Sequence, residues 1–399
     1  MSAMQRDNRN PRRMAYQFII MLGLVSLFGD ITYEGARSVS GPFLYTLGAN
    51  AAVVGLVAGL GEFLGYSLRL VSGYMADRTG RYWAFAFIGY GLILSIPLLA
   101  LAGVWQVAAL FIIAERMGKA IRAPARDTIL SFATKQVGRG WGFGIHEALD
   151  QVGAVIGPLM LCYILAVRGG YRSGFAILVL PALVTLAILT AARRKVPVPE
   201  AMEQSHLSPS PDVRKKFPSA FWLYTLFAFV SVAGFVNFQL ISYHCKAQSV
   251  VPEAQIPLLY AMAMGVDALV ALIIGKTYDK IGLLSLITLP LLTVLIPFLG
   301  FSGSYCLVVT GMVIWGAVMG IQETIMRAAI ADLTPIQLRG FAYGVFNTAY
   351  GVSWLLGSLV IGILYEISMG HIITFVLAMQ VLAVHALFFL RKTLSPEKQ

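Results

Sequence analysis

The sequence has little charge and little cysteine, and each shortage excludes a class of protein. Asp, Glu, Lys and Arg make up 12% of the 399 residues, whereas 58% are hydrophobic, and the mean hydropathy is +0.76. A chain of this length cannot hide so much apolar surface in one water-soluble core. The cysteines, Cys162, Cys245 and Cys306, are few and odd in number, which argues against a disulfide framework. We therefore expect a protein that lies in lipid.

Hydrophobic runs long enough to cross a bilayer recur along the whole chain. A transmembrane helix needs roughly 20 apolar residues, and short polar breaks separate the runs. The runs cover residues 17–47, 52–75, 82–103, 106–126, 141–167, 172–192, 218–244, 254–276, 283–301, 304–326, 341–366 and 371–391. We therefore predict an all-α polytopic membrane protein with twelve transmembrane helices. Gly41 and Pro42 predict a bend or an end within the first span.

The Lys and Arg residues are unevenly divided between the two sides of this predicted bundle. Most lie in loops on the side of the N-terminus, whereas the opposite loops hold Arg168, Arg172 and Lys246. Since short cytoplasmic loops carry the excess of positive charge, we predict an integral protein of the cytoplasmic (inner) membrane with both termini in the cytoplasm. Basic residues that alternate with spans form no single basic face, so no nucleic-acid partner is expected.

Two motifs occur twice in the same order. Gly73-Tyr-Met-Ala-Asp-Arg-Thr-Gly-Arg follows the second span, and Gly275-Lys-Thr-Tyr-Asp-Lys-Ile-Gly follows the eighth, 202 residues later. Arg139-Gly140 opens the fifth span and Arg339-Gly340 opens the eleventh. These matches predict a duplicated six-helix unit, with an N-terminal half at 1–192 and a C-terminal half at 218–399. Residues 193–217, rich in proline and basic side chains, are predicted to be a cytoplasmic linker.

These motifs resemble those of the major facilitator superfamily, over residues 14–391. Residues 73–81 match its G-x-x-x-D-R-x-G-R loop, and the glycines at 144, 153 and 157 with Pro158 resemble the fifth-helix motif of its 12-helix drug and metabolite:proton antiporters. That motif usually ends in a glycine pair, where this chain has Leu161 and Cys162. The resemblance implies two six-helix bundles with a substrate site between them.

The resemblance also implies that the 73–81 loop and its repeat latch the cytoplasmic side closed. The predicted gating residues are Gly73, Asp77, Arg78, Gly80, Arg81, Asp127, Gly275, Asp279, Lys280 and Gly282. Within this set, Asp127 at the end of the fourth span is the predicted partner of Arg81. Gly153, Gly157 and Pro158 are the predicted hinge residues, although close helix packing explains the two glycines equally well.

Charged residues inside the predicted spans point to ion coupling, because each is costly in lipid unless it is paired, hydrated or functional. The internal acids are Asp30, Glu34, Glu62, Glu115, Glu147, Asp150, Asp267 and Glu323, and the internal bases are Arg37, Arg69, Arg116, Lys119 and Arg122. The acids outnumber the bases, so ion pairs cannot neutralise all of them. Some acids must then be hydrated or protonated, which is what a proton-coupled carrier requires. By depth, at 1.5 Å per residue, Asp30 and Glu62 fall near the midplane, so we predict that one of them carries the coupling proton.

Substrate and proton contacts are predicted at seven positions, each of which could instead be an interhelix contact. These positions are Asp30, Glu34, Glu62, Arg116, Glu323, Asn237 and Asn347. Glu34 and Arg37, three residues apart, share a helix face and form a predicted pair that leaves Asp30 free. Arg116 matches the fourth-helix arginine of the superfamily's antiporters, and the basic stripe around it suits an anionic or zwitterionic substrate.

Together these features predict a secondary active transporter that works by alternating access and exports a small organic compound in exchange for protons. Uptake of a small organic anion or zwitterion by proton symport is the alternative, and a non-transporting membrane receptor or sensor is a third reading. Enzyme motifs fail: the phosphate-loop ending at Gly275-Lys276-Thr277 has Val270 where glycine is required. We expect no cofactor and no metal. The expected partners are the solute, protons or another coupling ion, and the bilayer, with the protein a monomer.

Overall fold

The computed structural model describes residues 11–134, 136–199, 217–334 and 339–394. These residues are almost entirely helical and contain no strand, which confirms the all-α prediction. Twelve helical spans follow one another. They are span 1, Pro11–Thr46; span 2, Ala51–Thr79; span 3, Tyr82–Leu101; span 4, Trp105–Thr134; span 5, Arg139–Arg168; span 6, Tyr171–Lys195; span 7, Ser219–Ala247; span 8, Ile256–Ile281; span 9, 282–300; span 10, Tyr305–Leu333; span 11, Arg339–Ile367; and span 12, Met369–Leu394.

Length and hydropathy alone single out ten membrane-spanning stretches among the described residues. Span 4 is not one of them, because Glu115, Arg116, Lys119 and Arg122 interrupt its apolar surface. The stretch Glu253–Gly300, 48 residues long, holds both span 8 and span 9. A helix of that length would measure about 72 Å, more than twice the thickness of a bilayer core. Adding span 4 and dividing Glu253–Gly300 into spans 8 and 9 gives the predicted twelve spans.

The chain reverses between spans 2 and 3, and again between spans 8 and 9, at glycines in the left-handed region. Gly80 has φ +63° and ends span 2, while Gly282 has φ +58° and ends span 8. A residue with a Cβ rarely adopts this conformation. Both copies of the repeated motif therefore end their helices at a glycine with positive φ, although ψ is 9° at Gly80 and −140° at Gly282.

Spans 1 and 7 differ from the prediction in whether their helices are continuous. Span 1 stays helical through Pro42 as far as Thr46, so Gly41-Pro42 does not end it, and a bend there stays a prediction. Span 7 is broken, because residues 234–237 separate the helices Ser219–Ala233 and Phe238–Ala247. The break is buried, and Trp315 Nε1 donates a hydrogen bond of 2.9 Å to the carbonyl oxygen of Val236. Such side-chain bonds make an interrupted helix tolerable at membrane depth.

Spans 1–6 form one bundle, the N half, and spans 7–12 form a second, the C half. Span 1 packs on spans 5 and 6, and span 4 packs on spans 2 and 3. In the C half, span 8 packs on span 10 and span 7 packs on spans 11 and 12. The boundaries at 192 and 218 stay a prediction, and most of the predicted linker, 200–216, lies outside the described residues.

The two halves meet along spans 2 and 11, spans 5 and 8, and spans 1 and 7. We call the side on which span 1 begins the proximal side, and the opposite side the distal side. Distal contacts join the halves: the rings of Tyr45 and Tyr243 lie 5.2 Å apart, and Glu366 accepts a 2.7 Å hydrogen bond from the backbone of Ala51. Nearby, a Cβ on Gly41 would overlap the carbonyl oxygen of Gln239. We call these contacts the distal seal.

Candidate functional site

A central cavity lies between the two halves. Its open space is about 1180 Å³, which includes solvent at its mouth. Spans 1–5 line one wall and spans 8, 10 and 11 line the other. The charged side chains in the wall are the bases Arg37, Arg69, Arg116, Lys119, Arg122 and Arg126, and the acids Asp30, Glu34, Glu62, Asp127, Glu147, Asp150, Asp267 and Glu323.

The cavity opens toward the proximal side. Its lining along span 4 runs from Arg116, whose side chain is 7% exposed, to Asp127, whose side chain is 50% exposed. Asp127 is the lining residue of span 4 that lies nearest to the proximal end of the span. Because the distal seal closes the other end, the molecule has the form of a carrier that is open on one side only.

Glu62 is clamped by two guanidinium groups. Arg37 Nη2 donates to Glu62 Oε1 at 3.0 Å, and Arg116 Nη2 lies 2.7 Å from the same oxygen. The guanidinium of Arg116 also lies over the ring of Tyr33, 4.5 Å from its centroid. All of these side chains are nearly buried. Glu62 therefore ties spans 1, 2 and 4 together by charge-assisted hydrogen bonds.

Glu34 connects the two halves at the same depth. Tyr260 in span 8 donates a 2.6 Å hydrogen bond to Glu34 Oε2. Arg37 and Lys119 lie 3.8 and 3.9 Å from the Glu34 carboxylate, too far for strong hydrogen bonds. The Lys119 ammonium lies 4.3 Å from the centroid of the Tyr33 ring, in the geometry of a cation–π contact.

Asp30 and Asp267 differ from the other acids of the cavity. Both are buried in its wall, and neither has a hydrogen bond or an ion pair to any described residue. The charged groups around Asp30 are Asp150, Lys119, Glu34 and Arg122. Those around Asp267 are Glu323, Glu34, Glu147 and Arg37. Each carboxyl group therefore faces the cavity without the partner that a buried charge normally has.

The other two cations of span 4 are held by acids of the same span. Arg122 Nη2 donates to Glu115 Oε1 at 3.0 Å, and Arg126 lies 2.9 Å from Asp127. Arg126 also donates to Ser26, whose hydroxyl forms a 2.9 Å hydrogen bond with His146. These contacts brace the proximal part of the cavity wall.

The predicted substrate and proton contacts are only partly brought together. Asp30, Glu34, Glu62, Arg116 and Glu323 all line the central cavity. Asn347 lines a smaller adjoining pocket that shares Glu323 with the cavity. Asn237 does not line the cavity: its Oδ1 accepts a 2.8 Å hydrogen bond from Leu240 and caps the second helix of span 7.

The predicted gating residues lie at the proximal ends of spans 2, 4 and 8. Asp77 accepts a 3.2 Å hydrogen bond from the hydroxyl of Tyr82. Asp127 pairs with its neighbour Arg126, so in this conformation the expected pairing with Arg81 is not made. A Cβ on Gly73 would lie 3.3 Å from Pro124, and one on Gly275 would lie 3.6 Å from Thr324.

The predicted hinge glycines of span 5 pack directly on span 1. A Cβ on Gly157 would lie 2.5 Å from the carbonyl oxygen of Ile31 and 2.8 Å from the nitrogen of Gly35. A Cβ on Gly153 would overlap the carbonyl oxygen of Leu27. Close packing therefore accounts for both glycines, and span 5 remains helical through Pro158.

Sequence reasoning passed over two contributions of the C half. Asp267 was counted among the internal acids but not among the substrate contacts, although its depth in span 8 places it near the midplane, as for Glu62. Tyr260 gave no signal at all, because a tyrosine in an apolar span is ordinary. Its role depends on how span 8 packs against span 1.

Comparison with known proteins agrees with this geometry. The sequence profile of the Major Facilitator Superfamily matches residues 20–357 and 246–399. An uncharacterised protein of Mycobacterium tuberculosis is 43% identical over 386 residues, which cover 96% of this chain and 94% of that protein. Multidrug resistance protein MdtH of Photorhabdus laumondii is 30% identical over 201 residues, 48% of this chain and 49% of that protein.

A solved structure shares the architecture. The crystal structure of the nucleoside transporter NupG superposes with a TM-score of 0.70 at 15% sequence identity, covering 95% of this chain and 100% of NupG. At that identity the likeness shows the fold alone. With the profile match over most of the sequence, it explains the cavity between two helical halves as the solute path of a membrane transporter rather than the active site of an enzyme. The chain belongs to the Major Facilitator Superfamily.

Proposed function

We propose that the protein is a secondary active transporter that exports a small organic solute in exchange for protons. The observation that carries the proposal is the central cavity itself. It lies between two halves, is sealed distally and open proximally, and contains the buried, unpaired carboxyl group of Asp30. With the termini in the cytoplasm of the inner membrane, as the basic loops predict, the cavity is open to the cytoplasm.

Alternating access follows from the way the halves are joined. The distal seal consists of a ring contact, one side-chain hydrogen bond to the backbone and close backbone packing. None of these contacts is covalent, so a rocking motion of one half against the other can break them while the same motion closes the proximal mouth. One chain supplies both walls of the cavity, so the proposal requires only a monomer.

Asp30 is the proposed coupling residue. Glu62, the other predicted carrier, must break ion pairs with both Arg37 and Arg116 to lose its charge. Asp30 has no such bond to break, and its charged surroundings are mixed in sign. Its carboxyl group faces the open cavity, where water can deliver a proton from the proximal side. These features support proton exchange at Asp30.

The direction of transport rests on two likenesses. The glycines at 144, 153 and 157 with Pro158 resemble the fifth-helix motif of antiporters. MdtH, which is similar to about half of this chain, is described as a multidrug resistance protein. Both support export.

Uptake by symport is the second candidate, and one contact favours it. Lys119 acts on Asp30 within the N-half wall. An anionic group bound to Lys119 would offset the positive charge that acts on Asp30, so solute and proton would bind cooperatively. Because such coupling is reciprocal, it would move both in one direction.

Proteoliposomes with an imposed pH gradient test the proposal. A panel of anionic, zwitterionic and cationic compounds is supplied on either side of the membrane, and solute and proton fluxes are measured together. We expect solute to move against the proton flow, and movement with the proton flow would establish symport instead. Asp30→Asn should abolish gradient-driven accumulation, whereas Asp30→Glu should retain part of it. Unchanged accumulation by Asp30→Asn would remove Asp30 from the coupling mechanism.

A further inference from the structure

The two walls of the central cavity differ in the charges they carry: the N-half wall has both bases and acids, whereas the described charges of the C-half wall are acids. Every described cation that lines the cavity belongs to spans 1, 2 and 4 of the N half. The described charges from the C half are both acids, Asp267 in span 8 and Glu323 in span 10. The remaining C-half lining residues are Met264, Met319 and Trp354, which are apolar or aromatic. A cationic side chain can therefore meet a solute only from the N-half wall among the described residues, whereas the C-half wall offers it carboxyl groups.

Lys119 is the cation of the N-half wall with the clearest capacity for a ligand. Arg37 and Arg116 are bound to Glu62 at 3.0 and 2.7 Å, and Arg122 and Arg126 are held by acids of span 4. The nearest carboxylate oxygen to Lys119 Nζ lies 3.9 Å away, on Glu34. An ammonium group has three donors, and none of those of Lys119 has a hydrogen bond to a described residue. Its side chain is 28% exposed to the cavity.

Asp267 is the matching group on the opposite wall. The residue is 4% exposed, lines the cavity and has no hydrogen-bond or ion-pair partner among the described residues. Of the four charged groups around it, three are acids, Glu323, Glu34 and Glu147. A cation bound there would offset the repulsion between these carboxyl groups, which is strong in a low dielectric.

We propose that the transported solute is a small zwitterion, with its anionic group at Lys119 and its cationic group at Asp267. This inference rests on the proposed transport function and names its substrate class. A zwitterion offers hydrogen-bond acceptors to Lys119 and a counter-charge to Asp267 at once, whereas a solute with a single charge serves only one of the two groups. Because Lys119 belongs to the N half and Asp267 to the C half, the solute also contacts both of the halves that rock against each other.

Binding to the purified protein in detergent tests the substrate class. The probes are ω-amino acids from glycine to 6-aminohexanoate, with butanoate and butylamine as matched compounds that carry one charge each. The readout is the rise in the unfolding temperature with probe concentration, since a ligand that binds the folded state stabilises it. We expect at least one amino acid in the series to raise it, at concentrations at least tenfold below those at which butanoate or butylamine acts.

Variants of Lys119 and Asp267 test the binding of the two ends of the solute separately. Lys119→Gln should lose the preference for the amino acid over butylamine, and Asp267→Asn should lose the preference over butanoate. Asp267→Glu should restore it in part, which a purely structural role of Asp267 would not predict. Elution as a single species and an unfolding transition without probe show that each variant is folded.

The outcomes distinguish this inference from the function on which it rests. If no amino acid binds while another class of compound is transported in proteoliposomes, the zwitterion proposal is wrong and the transport function stands. Equal binding of the amino acid and the singly charged probes would overturn the proposal as well. If no compound of any class is transported under a pH gradient, the proposed transport function is wrong, and the inference that rests on it is wrong with it.

Discussion

At the scale of single residues, the acids of the cavity differ in how they are held. Glu62 accepts from two buried guanidinium groups, whereas Asp30 and Asp267 have no ion-pair partner among the described residues. The first arrangement is structural, because removing one partner leaves other charges stranded in a low dielectric. The second leaves a group available to a proton or a ligand. Sequence spacing does not separate these two cases.

The main effect of Glu62→Gln should therefore be a loss of protein stability rather than a change in proton coupling. The substitution keeps the shape of the side chain but removes the carboxylate that contacts both Arg37 and Arg116, so Arg37 keeps only the more distant Glu34. We expect a loss on the order of 3 kcal/mol in the free energy of unfolding, seen as a lower unfolding temperature in detergent.

Glu253→Gln is the matched control for this variant. Glu253 pairs with Lys246, and its side chain is 39% exposed, so the ion pair should contribute less than about 1 kcal/mol. An unfolding temperature for Glu62→Gln as high as that of Glu253→Gln would show that the clamp on Glu62 does not stabilise the bundle.

Part of this site could be predicted from the sequence. The Glu34–Arg37 pair follows from their spacing on one helix, and the structure places them 3.8 Å apart. The Glu62–Arg116 pair could not be predicted, because it depends on how spans 2 and 4 pack. The same holds for Tyr260, which reaches Glu34 from the other half.

At the scale of elements, the contact between spans 1 and 5 depends on glycine. Gly157→Ala would place a Cβ 2.5 Å from the carbonyl oxygen of Ile31, where neither backbone can yield easily. We expect the free energy of unfolding to fall by about 1–3 kcal/mol, the usual cost of overpacking. The measurement is again the unfolding temperature.

Gly144→Ala serves as the control on the same helix. A Cβ at Gly144 would meet nothing within 4 Å, and alanine is the better helix former. This variant should be neutral or more stable by up to about 1 kcal/mol. If the two substitutions had the same effect, the tight packing of span 5 on span 1 would not be a determinant of stability.

The break in span 7 shows where hydropathy fails to predict an element. Residues 234–237 are Gly-Phe-Val-Asn, apolar enough to be taken for continuous helix. The interruption is stabilised by groups from distant spans, since Trp315 bonds to the free carbonyl oxygen of Val236. Asn237 then starts the next helix as its cap. Its polar side chain therefore has a local role, although the sequence suggested a place in the cavity.

At the scale of the whole molecule, the fold could be predicted from composition, the length of the apolar runs and the repeated motifs. Each copy of the first motif ends its helix at a glycine with positive φ, Gly80 or Gly282. The conformational state could not be predicted, because the distal seal and the open proximal mouth are properties of two halves packed together. A sequence with a transport cycle encodes at least two such packings.

Distances between spin labels on the two faces test alternating access most directly. With Cys162, Cys245 and Cys306 replaced by alanine, one pair of labels is placed at Thr46 and Gln248 on the distal side and another at Thr79 and Lys276 on the proximal side. Double electron–electron resonance is recorded in lipid nanodiscs over a series of pH values. We predict that lowering the pH shifts the populations of the proximally open and distally open conformations. One labelled pair then lengthens as the other shortens, and Asp30→Asn abolishes this response. Distance distributions that do not change with pH, or pairs that lengthen together, would contradict a proton-driven carrier with alternating access.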